Sequence, residues 1–196
     1  MSFKFIKNNN ILKKIFVSLS TPTSGVFVFN ELKKNFKKSD KILNLGCGTC
    51  LFDSHAISNG YNVTSIDIYD GSLIDSVTPI VYDGKKIPLK RKHTDITLLI
   101  SVLHHVDEQK ELMNEAKRVS KKIIIQEDLV SGKFKRKIYS LLDNLMNLEL
   151  SVKDNNYHSL EEWKNIFKQN GLSLKSVNLK KGYFLVNQAV FILEVD

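Results

Sequence analysis

Apolar residues follow two rhythms along this chain, and the switches between them outline a fold. From Lys41 onward, short and mainly apolar runs recur, each stopped by glycine or a polar residue. Ile42 to Leu45 ends at Gly46, Val63 to Ile66 at Asp67, Ile80 to Tyr82 at Asp83, Ile96 to Ile100 at Ser101, and Ile123 to Ile125 at Gln126-Glu127. Runs this short and largely apolar, without strict alternation, predict strands covered on both faces, as in a parallel sheet. Between them the spacing turns helical. Leu51 to Ser58 predicts a helix closed by Asn59-Gly60, and Asp107 to Val119 one with Leu112, Met113, Ala116 and Val119 on a single face.

The flanks differ. Ile11, Leu12, Ile15, Phe16 and Leu19 share one side of a predicted helix over 8–19. The stretch Thr21-Pro22-Thr23-Ser24-Gly25 should break it before a second helix from Val26 to Phe36. Past Asp128, Phe134 to Leu148 predicts an amphipathic helix with Ile138, Leu141, Leu142, Leu145 and Met146 apolar. Ser159-Leu160-Glu161-Glu162 forms a capping box for a helix to Asn170, which Gly171 ends. Leu172 to Leu179 and Phe184 to Val195 then read as an antiparallel hairpin at the sheet edge. The sum is an α/β protein with a Rossmann-like, mostly parallel sheet, an antiparallel C-terminal hairpin and helices on both faces. Its crossovers should be right-handed and its ligand crevice should lie beyond the carboxyl ends of the strands.

Composition adds exclusions. The 196 residues are 42% hydrophobic and 26% charged, an ordinary globular balance long enough for one domain with its own core. No run approaches the roughly 18 apolar residues of a membrane span. Lys13 and Lys14 interrupt the N-terminal apolar run and no small-residue cleavage site follows, so the expectation is a cytoplasmic protein. The formal net charge is +8. Its basic residues fall mostly as scattered pairs, as on a solvated lysine-rich surface, and gather most densely from Lys133 to Lys137. An anion-binding footprint is the alternative. With two cysteines, Cys47 and Cys50, no disulfide framework sets the fold.

The chemistry centres on Asn44-Leu45-Gly46-Cys47-Gly48-Thr49-Cys50, which leaves a strand and opens a helix. Glycines let a ligand approach the backbone, and the helix start offers unpaired amides. Such a turn alone is weak evidence, but Asp67 stands 19 residues after Gly48 at the next strand end, and Asp83-Gly84 ends the third. Asp67 suits a ribose diol and Asp83 an adenine amino group, although either residue can also serve a cap or a turn. Three successive strand ends of this kind suit an adenosine ligand.

From Lys41 to Glu127 the chain resembles the class I S-adenosylmethionine-dependent methyltransferases, in particular the small-molecule, type 11-like branch with an L-G-C-G motif. The matching pieces are the glycine turn, Ser65-Ile66-Asp67-Ile68, Tyr82-Asp83-Gly84 with Ile87-Pro88-Leu89, Ile100-Ser101-Val102-Leu103-His104-His105-Val106, and the helix from Glu111 to Val119 with the strand after it. The resemblance implies a seven-stranded sheet with a reversed C-terminal hairpin and S-adenosylmethionine as cofactor. It implies the methionine end near Asn44, Gly46, Cys47 and Gly48, ribose at Asp67, adenine near Ile68, Asp83 and Gly84, and the methyl group near Ser101 and Leu103. Two positions depart from the family: Asn44 stands where an acid is usual, and Cys50 replaces the third glycine. On this reading residues 1–196 form one domain, with 1–38 a helical cap, 39–130 the cofactor-binding half, 131–158 a helical insertion, and 159–196 the last helix and hairpin.

Rival readings share these residues. Cys47 and Cys50 have the spacing of a redox pair, though that fold needs neither Gly46 nor the downstream carboxylates. A nicotinamide-binding fingerprint fails because Leu51 stands three past Gly48 where glycine is wanted. His104 and His105 are candidates for a general base, or simply begin the loop after the fourth strand. Tyr157 and His158, on a predicted loop, are candidates to face substrate, whereas Trp163 and Phe167 read as the core face of a helix. The acceptor is expected to be a small molecule, because Ser101-Val102-Leu103-His104 replaces the Asn-Pro-Pro-aromatic mark of nucleic-acid amino methylation. Methylation of RNA or a protein through the basic surface is the alternative, and a degenerate cofactor-binding partner protein a third. The N-terminal helix, hinged at Thr21 to Gly25, is expected to bury its apolar face as a lid beside residues 131–158.

Overall fold

The structure is a computed structural model that describes residues 3–146, 156–181 and 186–195. Its sheet has seven strands in the order β3-β2-β1-β4-β5-β7-β6. These are β1 Lys41–Leu45, β2 Asn62–Asp67, β3 Ile80–Val81, β4 Thr94–Ile100, β5 Ser120–Leu129, β6 Ser173–Lys181 and β7 Asn187–Glu194. β1 to β5 run parallel, while β7 lies antiparallel to both β5 and β6. The C-terminal pair is the antiparallel hairpin expected at the sheet edge, with β7 inserted between β5 and β6. Sequence explains which goes inside. Asn187–Glu194 is buried from Ala189 through Leu193, while Ser173–Lys181 carries lysines on an edge that must resist further pairing.

Alternation along β1 divides the core between two faces. Leu43 and Leu45 meet Ile66, Leu99, Ile123, Ile125 and Phe191 under α5 (Gln109–Val119) and α7 (Leu160–Gln169). Ile42 faces the other way, with Ile96, Leu98, Ile124 and Val190, under α3 (Val28–Leu32) and α4 (Leu51–Ser58). Trp163 and Phe167 are fully buried and stacked on one another, as the core reading of that helix expects. The capping box at Ser159 and Glu162 is present.

The N-terminal segment departs from expectation. α1 (Phe3–Lys7) and α2 (Asn10–Ser20) are followed not by a break but by a π-helical turn, Thr21–Phe27, that runs into α3. Pro22 sits in its first turn, where a missing amide costs little. Gly25 is buried against α4, and a Cβ there would come within 3.1 Å of the Leu51 carbonyl oxygen. The segment is thus a packed turn rather than a hinge. The apolar face of α2 is not buried either, for no residue of that helix is. The insertion forms α6 (Lys133–Met146); the ends of the predicted helix at 147–148, and of the strand from Phe184, lie outside the described residues.

Trp163→Ala is expected to cost about 3–5 kcal/mol, because a fully buried aromatic leaves a cavity at the join of α7 and the sheet. Urea unfolding measures it; a loss under about 1 kcal/mol would mean that this core collapses freely.

Candidate functional site

The turn after β1 is shaped by packing. Gly46 has φ +79, and a Cβ there would stand 2.7 Å from Val102 Cγ2, so no side chain fits. The amides of Gly46 and Cys47 both donate to the Ile66 carbonyl, at 2.8 and 3.2 Å, tying the turn to β2. Gly48 has φ +53, but a Cβ built there meets nothing within 4 Å. One glycine is needed by the protein's own packing, and the other faces open space.

That open side meets the first carboxylate. The Gly48 amide donates to Asp67 Oδ2 at 2.8 Å, and Ile68 donates to Oδ1 at 2.7 Å. The turn and the strand end, 19 residues apart, are thus joined directly. Asp67 is buried, which raises its pKa; amides of Gly48, Ile68 and Tyr69 oppose the shift. An ionised carboxylate has about four acceptor positions, so capacity remains for a ligand hydroxyl.

Asn44 points to the α4 side of β1. Its Nδ2 donates to Asp53 Oδ2 at 2.8 Å, and Ser65 Oγ donates to Asp53 Oδ1 at 2.6 Å. Asp53 is fully buried in the first turn of α4, and burial pushes its carboxyl pKa up to about 6 against those two hydrogen bonds. Asn44 Oδ1 is buried without a hydrogen-bond donor among the described residues. The acid that the resemblance led one to seek at position 44 is therefore present at one remove. Sequence reasoning passed over Asp53; its signal was an acid one turn into the helix that the glycine turn opens.

The third strand end joins the same edge. Gly84 has φ +76, and a Cβ there would stand 3.3 Å from Ile68 Cγ2, so Ile68 and Gly84 are neighbours. Asp83 is exposed and its Oδ1 accepts from the amides of Lys86 and Lys85, which lower its pKa. It shapes its own turn while staying open to solvent. α5 anchors the following loop: Glu115 Oε2 accepts from the Ile87 amide at 2.8 Å, and Arg118 donates to the carbonyls of Ile87 and Leu89.

Beyond β4 the organiser is Glu127, which the sequence reading treated only as a strand end. It is fully buried. Oε1 accepts from the amides of Val102 and Leu103, at 3.0 and 2.7 Å, and Oε2 lies 2.5 Å from His104 Nδ1. Ser101, with φ 54, donates its amide to the Gln126 carbonyl. Leu103 sinks its side chain into the core, so only its backbone borders the crevice. His104 is buried and stacks on Tyr157 with ring centroids 4.6 Å apart. Tyr157 is itself 1% exposed, so it forms the wall behind His104 rather than an open loop residue. His105 is exposed, its ring 4.0 Å from that of His104. His158 is half-buried, which lowers its pKa, with Nε2 3.3 Å from Gln109 Oε1 and its ring edge-on to Trp163. Of the four candidates, His105 presents the most open side chain.

The two cysteines are free and buried, with sulfurs 3.5 Å apart. The hydrogen bond with Cys50, burial, and the negative charge of Asp53 and Asp67 all push the Cys47 thiol up. A redox pair needs the opposite.

Residues 43–123 match the family model described as a methyltransferase domain. Comparison with curated proteins finds no significant match. Among solved structures, a S-adenosylmethionine-dependent methyltransferase from Methanosarcina mazei is similar with TM-score 0.66 at 13% identity, over 84% of this chain and 97% of that one. Geranyl diphosphate C-methyltransferase from Streptomyces coelicolor, solved with S-adenosyl-L-homocysteine, gives 0.68 at 11% identity, over 96% and 85%. Magnesium protoporphyrin IX methyltransferase from Synechocystis, also with that product bound, gives 0.62 at 15% identity, over 95% and 88%. At these identities the structural likenesses establish the fold.

Asp53 has a signed pH consequence. Its folded pKa, about 6, lies above the ordinary 3.8, so its contribution to stability is present below about pH 4 and is lost as pH rises through about 6. Asp53→Asn is expected to raise unfolding free energy by about 1–3 kcal/mol at pH 8 and to change it little at pH 4. Urea unfolding at both values checks this; equal destabilisation at both would mean that the carboxylate is needed for its hydrogen bonds rather than burdened by its charge.

Proposed function

We propose that this chain is a class I S-adenosylmethionine-dependent methyltransferase that carries the methyl group to a small-molecule acceptor. The observation that carries the cofactor end of this reading is the Gly48–Asp67 hydrogen bond beside an open glycine face. The residues fit the cofactor: Asn44 Oδ1 is a buried acceptor lacking a donor, suited to an ammonium, and Asp67 retains capacity for a ribose hydroxyl. When bound, S-adenosylmethionine supplies a methyl group on a sulfonium, an electrophile that is already activated. Gly46, Cys47 and Gly48 offer backbone at close approach, while Ile68, Asp83 and Gly84 form the patch read here as the adenine side. Ser101 and Leu103 border the reacting end through their backbone.

The acceptor side is read at the loop that Glu127 holds. Carboxylate, buried imidazole and tyrosine ring make a rigid wall of Glu127, His104 and Tyr157. In front of it His105 is placed to take a proton from an acceptor hydroxyl or amine, with His158 at the flank. Alignment against a rigid wall supplies most of what such a transfer needs. The small-molecule reading is supported by Ser101-Val102-Leu103-His104 in place of a nucleic-acid amino-methylation motif. It is also supported by the like-folded enzymes named for geranyl diphosphate and magnesium protoporphyrin IX. We read residues 1–196 as one domain, with 1–38 as a helical cap and 131–158 as an insertion after the fifth strand. Methylation of RNA or protein is the second reading, favoured by exposed Lys133, Lys135 and Lys137 beyond the end of β5.

Incubating the protein with labelled cofactor and a cell extract separates the two. Label is expected in metabolites heavier by one methyl group; label confined to macromolecules would overturn the small-molecule reading. In calorimetry, Asp67→Ala is expected to weaken cofactor binding by on the order of 1.5–3 kcal/mol, as a charged hydrogen bond does. Cys50→Ala should change it far less. Equal losses would remove Asp67 from the ribose role.

A further inference from the structure

α2 and α6 are amphipathic the wrong way round for a globular protein. In α6 the polar side chains face inward. Arg136 Nε donates to the Val130 carbonyl at 3.1 Å and pairs with Glu162, Tyr139 Oη donates to Asp128 at 3.2 Å, and Ser140 is buried. The apolar residues face out: Phe134 is 78% exposed, and Ile138, Leu141 and Leu142 follow it at helical spacing, all exposed. Lys133 and Lys137 flank this stripe on one side and Lys135 on the other, each exposed. In α2, Lys13 points inward to Asp75 while Ile11, Leu12, Ile15 and Leu19 point outward, with Ile11 and Leu19 more than 70% exposed. Lys14 lies beside that stripe, exposed.

Helix stability does not account for the charges. The first turn of α6 holds no acid, and besides Arg136, which Glu162 pairs, its first five residues include Lys133, Lys135 and Lys137 at the positive end of the dipole. Cations there are unfavourable unless an anion lies opposite.

Both helices hang from the same edge of the sheet. Lys7 pairs with Asp70 at 2.7 Å and Lys13 with Asp75, which seats α1 and α2 on the segment after β2. That segment rests on the glycine turn, with the Leu73 amide donating to the Thr49 carbonyl at 3.1 Å. α6 leaves the carboxyl end of β5. β1 and β4 separate β2 from β5, so the strand ends from which the two helices hang lie about 14 Å apart along the carboxyl end of the sheet.

We propose that the outward faces of α2 and α6 dock this protein on an anionic lipid bilayer, with the crevice mouth turned toward the membrane surface. Apolar stripes edged with lysine are what an interfacial helix presents to acyl chains and anionic headgroups. RNA would meet the lysines but has no use for Phe134, Leu141, Ile11 and Leu19. A second copy would bring two basic faces together. Among the described residues no helix is long and apolar enough to cross a membrane, so the attachment is to the surface.

Sedimentation of the full chain with vesicles tests this without reference to activity. The protein is expected to bind phosphatidylcholine vesicles containing phosphatidylglycerol at least about tenfold better than phosphatidylcholine alone, less so at high salt. Phe134→Ser with Leu141→Ser, and Ile11→Ser with Leu19→Ser, should each weaken that binding about tenfold or more. Both pairs should leave the melting temperature unchanged, since the side chains are already in water. Lys133→Glu with Lys137→Glu should remove the preference for anionic vesicles. Failure to bind either vesicle overturns the proposal. So does a dimer in sedimentation equilibrium that the serine variants abolish, or RNA binding that they leave intact while vesicle binding is absent.

Discussion

The glycine turn can exist only because Gly46 has no side chain, and the rest of the crevice depends on that. Val102, at the end of β4, presses its methyl groups where a Cβ would be. The close fit brings the ends of β1 and β4 together and lets the turn bind Ile66 and Asp67 of β2. Three strand ends are thereby locked by one absent methyl group. At the neighbouring Gly48 the missing side chain leaves open space.

Three buried carboxylates then hold the loops around this turn. Asp67 orients the amides of Gly48 and Ile68, Asp53 orients Asn44 and Ser65, and Glu127 orients Val102, Leu103 and His104. Burying a charge is costly unless its oxygens are satisfied, and each of these accepts at least two hydrogen bonds. The arrangement spends stability on geometry. The burden shows most clearly in the raised pKa of Asp53. What it provides is a crevice whose walls are set before any ligand arrives, which suits a reaction that depends on alignment.

Around this rigid centre the periphery obeys another rule. α3 and α4 bury apolar faces in the ordinary way, whereas α6 turns polar side chains inward and both α2 and α6 leave apolar stripes in water. Both exceptions carry exposed lysine beside the outward apolar stripe.

How much of this could be read from the sequence follows from the range of the forces involved. Short apolar runs, the capping box at Ser159 and the helix from Leu51 to Ser58 were legible because strand burial and helix capping act over a few residues. The glycine turn and the strand-end acids were legible for the same reason, each being a local pattern at fixed spacing. Tertiary structure alone decided which C-terminal strand lies inside, since β6 and β7 compete for β5 through pairings far apart in the chain. It decided that Tyr157 is a buried wall, because stacking on His104 closes a gap of more than fifty residues. It decided that Asp53 completes Asn44, a contact between a strand and the helix after it that no periodicity announces. Above all it decided which way the stripes of α2 and α6 face: helical spacing determines that a stripe exists, but in α6 its direction depends on Asp128 and Glu162, which take the polar side of the helix from elsewhere in the fold.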